Sequence, residues 1–345
     1  MILIHNIYYM LSYAFKVLQE KTYRDIETEE FENVADLLSE ILIKGVKREL
    51  KRGILKGYVD TEDTLSTIKG KINISETINH QTLINNKVVC NYDEFTTNVY
   101  LNKIIKTTMS YLLHSNISKE RKKIIKNLLI YFKDVDMLNV HEINWKLNYN
   151  KNNQNYRMLI YICNFIVKGL LQTTSNGKTR LMDFVDDQKL SSLYEKFILE
   201  YSKKEHSDIN ANASFINWQL DNGFDLFLPR MRSDITLSNG NNILIIDAKY
   251  YGDNLEHYYD SNKISSDNIY QIFTYVKNKS FENPNLKVSG MLLYAKTEAE
   301  IQPDADYKMS GNTISVKTLD LNQPFVNIKK QLDDIIKKYF DSMNV

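Results

Sequence analysis

The chain has 345 residues, 43% hydrophobic and 25% charged, with a formal net charge of +1. That is the profile of a soluble globular protein long enough for two ordinary domains, and it gives no support to bulk electrostatic attraction to nucleic acid, so any DNA contact must come from local patches or a partner. The two cysteines, Cys90 and Cys163, lie far apart in apolar surroundings, and the six histidines form no metal-ligand spacing, so no disulfide or zinc framework is expected. Met1 to Tyr9 lacks the basic region and cleavage site of a signal peptide. The longest apolar run, Met158 to Leu171, carries Asn164 and Lys168 and is too short to span a bilayer. A cytoplasmic protein with no membrane contact is expected.

Ile7, Met10, Leu11, Ala14, Phe15 and Leu18 recur at helical spacing, and Phe31, Val34, Leu38, Ile41 and Leu42 do so again. Tyr8, Tyr9 and Tyr13 are read as packing residues of the first helix. The basic run Lys44 to Gly53 has no interleaved aromatic residue to stack bases, so it reads as a solvated helix end or a partner contact. From Leu55 to Tyr92 the pattern changes to short β-like pieces (Leu55 to Val59, Ile68 to Ile78, Val88 to Tyr92) punctuated by Gly57 and Gly70. Leu101 to Leu112 and Ile124 to Phe132 are expected helices, with Lys119, Arg121, Lys122, Lys123 and Lys126 on the wet face of the second.

Asn148 to Asn155 is the most polar stretch, and a domain boundary is placed there, giving 1–150 and 151–345. An apolar helix follows over Tyr156 to Leu171. Ser175-Asn-Gly-Lys-Thr179 invites comparison with a phosphate-binding loop, but G-x-x-x-x-G-K-[ST] needs glycine at 172, where Gln172 stands. No nucleotide is expected on this chain. Helices are expected over Ser191 to Lys204 and Ser265 to Lys279, strands over Val288 to Ala295 and Asn312 to Leu319, and a last helix opening at Pro324. With the hairpin described next, this order gives an α/β fold, a mixed sheet flanked by helices.

The stretch Arg232 to Lys249 carries the chemistry. Ile235 to Leu237 and Ile243 to Ile246 are β-prone, and Ser238-Asn-Gly-Asn-Asn242 between them holds the residues of a hairpin turn. With the turn at Gly240 and Asn241, Asp234 and Asp247 face each other across the strands, where like charges destabilise the pairing. A divalent cation reverses that cost, and paired carboxylates suit Mg²⁺ or Mn²⁺. Lys249 lies two residues beyond Asp247 and shares its face. Carboxylates, a cation they hold and a lysine are the set that phosphodiester hydrolysis needs. A plain surface hairpin is the competing reading. Against it stands Ile243-Leu-Ile-Ile246, apolar on both faces like a buried central strand.

Asp234, twelve residues, then Asp247-Ala-Lys249 resembles the PD-(D/E)xK nuclease signature. Leu228-Pro-Arg-Met-Arg-Ser-Asp-Ile-Thr236, Ile245-Ile-Asp-Ala-Lys-Tyr-Tyr251, Asn6 to Ala14, Ile68 to Ile72 and Tyr270-Gln271 with Tyr275 are similar to the McrC subunits of McrBC restriction systems. One departure is that Pro229 lies five residues before Asp234 instead of beside it. The resemblance implies a C-terminal PD-(D/E)xK nuclease fold preceded by an α+β domain with a small β-rich module, and Mg²⁺-dependent cleavage of double-stranded DNA. It also implies an AAA+ GTPase partner of the McrB kind, engaged and stimulated by the N-terminal half. Asp234 and Asp247 are then metal ligands and Lys249 the catalytic cation. Glu195, on the helix before the sheet, is a candidate to complete the metal site or else an ordinary exposed glutamate. Gln271 matches a polar position that the nuclease family points at its site. Tyr250, Tyr251, Tyr258 and Tyr259 either line a DNA groove or pack. Two other readings stay open: an activator subunit with a non-catalytic nuclease scaffold, and a stand-alone nuclease.

Overall fold

A computed structural model describes residues 2–175, 187–224, 226–250, 256–258 and 261–340 of the chain. They form two compact units, one of residues 1–29 and 185–345 and one of residues 30–184. The boundary expected after residue 150 falls inside the second unit by this division, because the helix from Tyr156 packs there. The Ser175-Asn-Gly-Lys-Thr179 segment from Asn176 onward, Tyr251 and Tyr259 lie outside the described residues.

Helix α1 (Ile4–Ala14) belongs to the first unit. The Asn6 amide donates to the Leu321 and Gln323 carbonyls, both at 2.8 Å. Tyr13 donates to Glu205 Oε1 at 2.6 Å, Tyr8 to the Leu18 and Tyr23 carbonyls, and Tyr9 stacks on Phe325 at 4.4 Å. The three tyrosines are packing residues with satisfied hydroxyls or ring partners, as their helical spacing suggests.

The second unit opens with α2 (Val34–Arg52), whose N-cap Asn33 accepts from Asp36 N and whose end is turned by Gly53 at φ +97°. The basic run is the end of this helix, where Lys44 pairs with Glu40 and Arg52 with Glu49. Strand β1 (Gly57–Leu65) follows, then β2 (Lys71–Ile72), helix α3 (Ile74–Asn79) and strand β3 (Val88–Thr96), in a three-stranded sheet ordered β1-β3-β2. Of the strand expected over Ile68 to Ile78 only Lys71–Ile72 is present, and the chain is helical from Ile74. Asn73 explains the change: its side chain caps α3 by accepting from Glu76 N at 3.2 Å, and local polar capping overrides the short alternation before it. Helices α4 (Tyr100–Leu112), α5 (Lys119–Leu129) and α6 (Tyr156–Ser175) complete the unit. Arg121 departs from the expected wet face of α5. It is buried, with Asp36 at 2.6 Å and Glu40 at 3.2 Å, because it ties α5 to α2. Cys90 and Cys163 are both free and buried, and burial pushes the Cys163 thiol up to about 12.

The first unit resumes with α7 (Asp187–Glu205) and strands β4 (Asn210–Asn212), β5 (Phe215–Ile216), β6 (Met231–Arg232), β7 (Ile235–Asn239) and β8 (Asn242–Lys249). A short ribbon, β9 (Glu256–Tyr258) and β10 (Ser261–Lys263), precedes α8 (Ser266–Glu282). Strands β11 (Lys287–Ala295), β12 (Ala305–Met309) and β13 (Asn312–Leu319) and helix α9 (Phe325–Phe340) end the described chain. Pro324 sits just before α9 and accepts its first helical bond from Asn327, so it caps the helix instead of occupying its first turn. The six-stranded sheet runs β12-β13-β11-β8-β7-β4, with β8, β11 and β13 parallel and the rest antiparallel. Strand β8 is central and buried from Ile243 to Ala248, as its continuous apolar run requires.

Gly290 in β11 sets how closely α8 can approach. A Cβ there would lie 2.7 Å from Val276 Cγ2 and 2.8 Å from Ile272 Cγ1. With hydrogen in its place, Ile272 and Val276 settle on Ile243, Ile245 and Leu292 in one apolar cluster. Gln271, adjacent to Ile272, is thereby held over the end of β8.

Candidate active site

Strands β7 and β8 are joined by Gly240 and Asn241, with Gly240 at φ +52° in the left-handed region that glycine tolerates. Their register pairs Ile235 with Ile246. Continued by one residue, it sets Asp234 across from Asp247, so the opposition expected from the turn position is present in the structure. Asp247 is buried within the sheet, and Lys249 follows on the same face at the strand end.

The side chains converge through short contacts. Lys249 Nζ lies 2.8 Å from Asp247 Oδ2, yet outside hydrogen-bond alignment, so that buried oxygen has a neighbouring charge and no bonded donor. The same ammonium donates to Gln271 Oε1 at 3.2 Å, and Gln271 Nε2 donates to Tyr275 OH at 3.0 Å. Asp234 Oδ2 accepts from Ala248 N at 3.0 Å. Glu195 comes from α7, where Ser191 Oγ donates to its Oε1 at 3.2 Å. Glu195 and Asp234 line one cavity of about 280 Å³, together with Ser192, Lys196 and Arg232.

The electrostatics follow from crowding acids in a dry place. Burial first, then the charges of Asp247 and Glu195, push the Asp234 carboxyl up to about 8. Burial also raises Glu195, with the Asp247 charge adding to it while the Ser191 hydroxyl and Lys249 act the other way. Lys249 is the cation that offsets the crowding at Glu195, while Lys196 and Arg232 lie on the cavity wall. A divalent cation fits here on two counts: an orphaned buried oxygen on Asp247 and a carboxyl on Asp234 that holds a proton for want of a counter-charge. Among the described residues no group of three His, Cys, Asp or Glu side chains is gathered that could hold a metal ion. Two carboxylates are gathered, the number with which Mg²⁺ is usually held.

All five residues singled out in the sequence lie in this region: Asp247, Lys249 and Gln271 in one chain of contacts, Asp234 on the Ala248 amide beside them, and Glu195 on the wall of the adjoining cavity. Three features escaped sequence reasoning. The Ala248 amide positions Asp234, and a backbone group leaves no trace in side-chain pattern. Ser214, Ser233 and Thr236 form a hydroxyl chain flanking Asp234, with Ser233 Oγ and Thr236 Oγ1 at 2.8 Å and Ser214 Oγ and Thr236 Oγ1 at 2.7 Å. Arg232 also reaches the cavity wall, and its place two residues before Asp234 was the available signal.

A mixed sheet flanked by helices, whose central strand ends in Asp-x-Lys with a second aspartate in cross-strand register, is the α/β arrangement expected from the PD-(D/E)xK resemblance. The profile of the family described as McrBC 5-methylcytosine restriction system component matches residues 4–295. The type IV methyl-directed restriction enzyme EcoKMcrBC of Escherichia coli (strain K12) is 31% identical over 342 residues, 97% of each chain. The chain belongs to this family. Among solved structures, a refined half-complex from a tetradecameric assembly of Thermococcus gammatolerans McrB AAA+ hexamers with bound McrC aligns at 16% identity. Its TM-score is 0.46, and the alignment covers 94% of this chain and 75% of that one. The T. gammatolerans McrBC complex seen by cryo-EM aligns at 15% identity and TM-score 0.39 over 59% of this chain and 58% of that one. Among the described residues no helix is long and apolar enough to cross a membrane.

Proposed function

We propose that the chain is the endonuclease subunit of a modification-dependent restriction complex in the cytoplasm. It cleaves double-stranded DNA with Mg²⁺ and engages and stimulates a partner AAA+ GTPase. The observation that carries the reading is the contact chain Asp247, Lys249, Gln271 with Asp234 beside it at the end of the central strand. Of the two units, the one built on the six-stranded sheet is assigned to cleavage, and the one carrying the β1-β3-β2 module to the GTPase.

Asp234 and Asp247 would hold the cation, which supplies a polarised phosphoryl oxygen and a more acidic water. The chain's own residues do the rest. Asp247 is fixed by its central strand, so its carboxylate costs no reorganisation when DNA arrives. The Ala248 N–H fixes Asp234. Lys249, aimed by the Gln271 carbonyl, faces negative charge building up on the phosphoryl oxygens. Tyr275, one turn onward on the same face of α8, fixes the Gln271 amide so that its oxygen points to the ammonium. Glu195, already raised by burial, is placed to take a proton from water entering the cavity it lines.

The test is cleavage of modified and unmodified plasmid by the full chain with Mg²⁺, with and without its GTPase and GTP, beside Asp247→Ala. Cutting in the complete mixture alone, lost in the variant while GTPase stimulation persists, is expected. Cutting by Asp247→Ala would sink the site. Cutting without the GTPase would make the protein an autonomous nuclease, and stimulation without cutting would make it an activator.

A further inference from the structure

Strands β5 and β6 pair Phe215 with Arg232 and Ile216 with Met231, and the chain between them forms a loop that leads straight into Asp234. Its base is fixed. Ile216 and Met231 are buried, Trp218 Nε1 donates to the Pro229 carbonyl at 2.8 Å, and Gln219 N donates to Asn278 Oδ1 on α8 at 2.8 Å. Its tip is bare. Phe224 is 95% exposed and Phe227 92% exposed, more than any other large apolar residue among those described. Two rings held out by an anchored stem cost solvation and contribute nothing to the core, which marks them for contact with another molecule.

The place of the loop beside Asp234, with arginines on the connecting stem, identifies that molecule. The stem between the rings and Asp234 carries Arg230 and Arg232, both exposed, and Arg232 also lines the cavity shared by Glu195 and Asp234. The loop's sequence also carries two acids, Asp221 on the opposite stem and Asp225 between the two phenylalanines, so the arginines mark only the stem that leads into Asp234. Phe227 is seven residues from Asp234, so its backbone lies at most about 25 Å away along the chain, within one turn of a duplex, about 34 Å. A polyanion with flat apolar faces between its charges matches arginines on the stem and rings at the tip. Arginines hold the phosphates, and apolar wedges enter between base steps and kink the duplex.

From this we infer that the loop is a DNA wedge: Phe224 and Phe227 insert into the duplex beside the scissile phosphate while Arg230 and Arg232 grip the adjoining backbone. The inference rests on the nuclease reading and adds the element that deforms the substrate at the cut. It makes the cleavage position sensitive to how easily a step unstacks, so cuts fall preferentially at pyrimidine–purine steps.

The experiment places a photoreactive ring on the loop, Phe227→p-benzoylphenylalanine, in the full chain with its GTPase, GTP and end-labelled plasmid fragment. Irradiation is expected to crosslink this subunit to a DNA strand within a few bases of the cut. In parallel, Phe224→Ala with Phe227→Ala should slow cleavage at least about tenfold, since losing aromatic contact with bases costs on that order. GTPase stimulation and the melting temperature should stay unchanged, because the rings support no core. Phe224→Trp with Phe227→Trp should restore cutting. Crosslinking to the GTPase or to a second copy instead of DNA would overturn the inference, as would full-rate cleavage by the double alanine chain. Either result leaves cutting by the parent chain intact and so spares the nuclease reading. Failure of the parent to cut would strike that reading first, and the wedge with it.

Discussion

Among the described residues two pairs of aspartates oppose each other across strands, and only one is buried. Asp234 faces Asp247 at the end of the six-stranded sheet, while Asp60 faces Asp93 midway along β1 and β3. In both places one carboxyl is raised. Asp93 is raised first by its hydrogen bond with Asp60 and then by that neighbour's charge, Asp234 first by burial. The Asp60 pair lies in water, which screens the repulsion and makes it cheap. The Asp247 pair is walled by β8 and α7, has Lys249 on its face, and holds an oxygen without a bonded donor. Opposed acids are therefore not a site by themselves. Burial turns the same repulsion into a standing demand for a cation.

The sharpest way to break this comparison is to remove the lysine. Lys249→Met keeps the length of the side chain and deletes the charge, so cleavage should fall about 10²-fold to 10³-fold with GTPase stimulation retained. Asp60→Asn and Asp93→Asn should cut at the parental rate. Equal losses in the two sheets, measured as single-turnover cleavage, would erase the distinction. Next comes Gly290→Ala, which drives a methyl against Ile272 and Val276 and pushes α8 off the sheet. A cost of about 1–3 kcal/mol in denaturant unfolding is expected, with slower cutting as Gln271 retreats from Lys249.

A smaller effect tests the demand for a cation directly. Asp234 keeps its proton up to about pH 8 when folded but loses it near pH 4 when unfolded, so the native state binds the extra proton across that window. The associated stability is fully present below the unfolded value and is lost as pH rises through the folded one. Glu195, raised as well, acts in the same sense. Metal-free protein should therefore melt lower at pH 9 than at pH 6. Mg²⁺ should raise the melting point most at the alkaline end, and Asp234→Asn should flatten the pH slope and abolish the Mg²⁺ response. A metal-free melting point that rises with pH would contradict the crowded-carboxylate picture.

Much of the six-stranded sheet was legible in the sequence, because its signals are local. The apolar run Ile243 to Ile246 requires a strand buried on both faces, and Gly240 with Asn241 fixes the turn, hence the register that opposes Asp234 to Asp247. The five site residues follow from that register and from the family likeness. What stayed hidden depends on distant partners. Arg121 reads as a wet charge until Asp36 and Glu40 arrive from α2, over eighty residues earlier in the chain. The placement of α1 with residues 185–345 rests on Asn6 finding the Leu321 and Gln323 carbonyls, which no local pattern announces. Gly290 reads as a flaw in a strand until α8 is seen to need its missing side chain. Strand β12 also escaped, its exposed, polar edge position giving little apolar alternation to read.

The smallest effect is the most diagnostic of why the exposed pair is not a second metal site. Asp93→Asn removes a like charge opposite Asp60, which relieves repulsion in β1 and β3, and replaces a shared proton with an amide that donates to the same carboxylate. Because both groups sit in water, the melting temperature should rise by no more than about 2 °C, and the gain should vanish in high salt. Mg²⁺ should leave this variant and the parent equally displaced, since no buried oxygen there waits for a cation. If Mg²⁺ instead stabilised the parent but not Asp93→Asn, the exposed pair would be binding the ion, and burial would lose its place as the feature separating the two pairs.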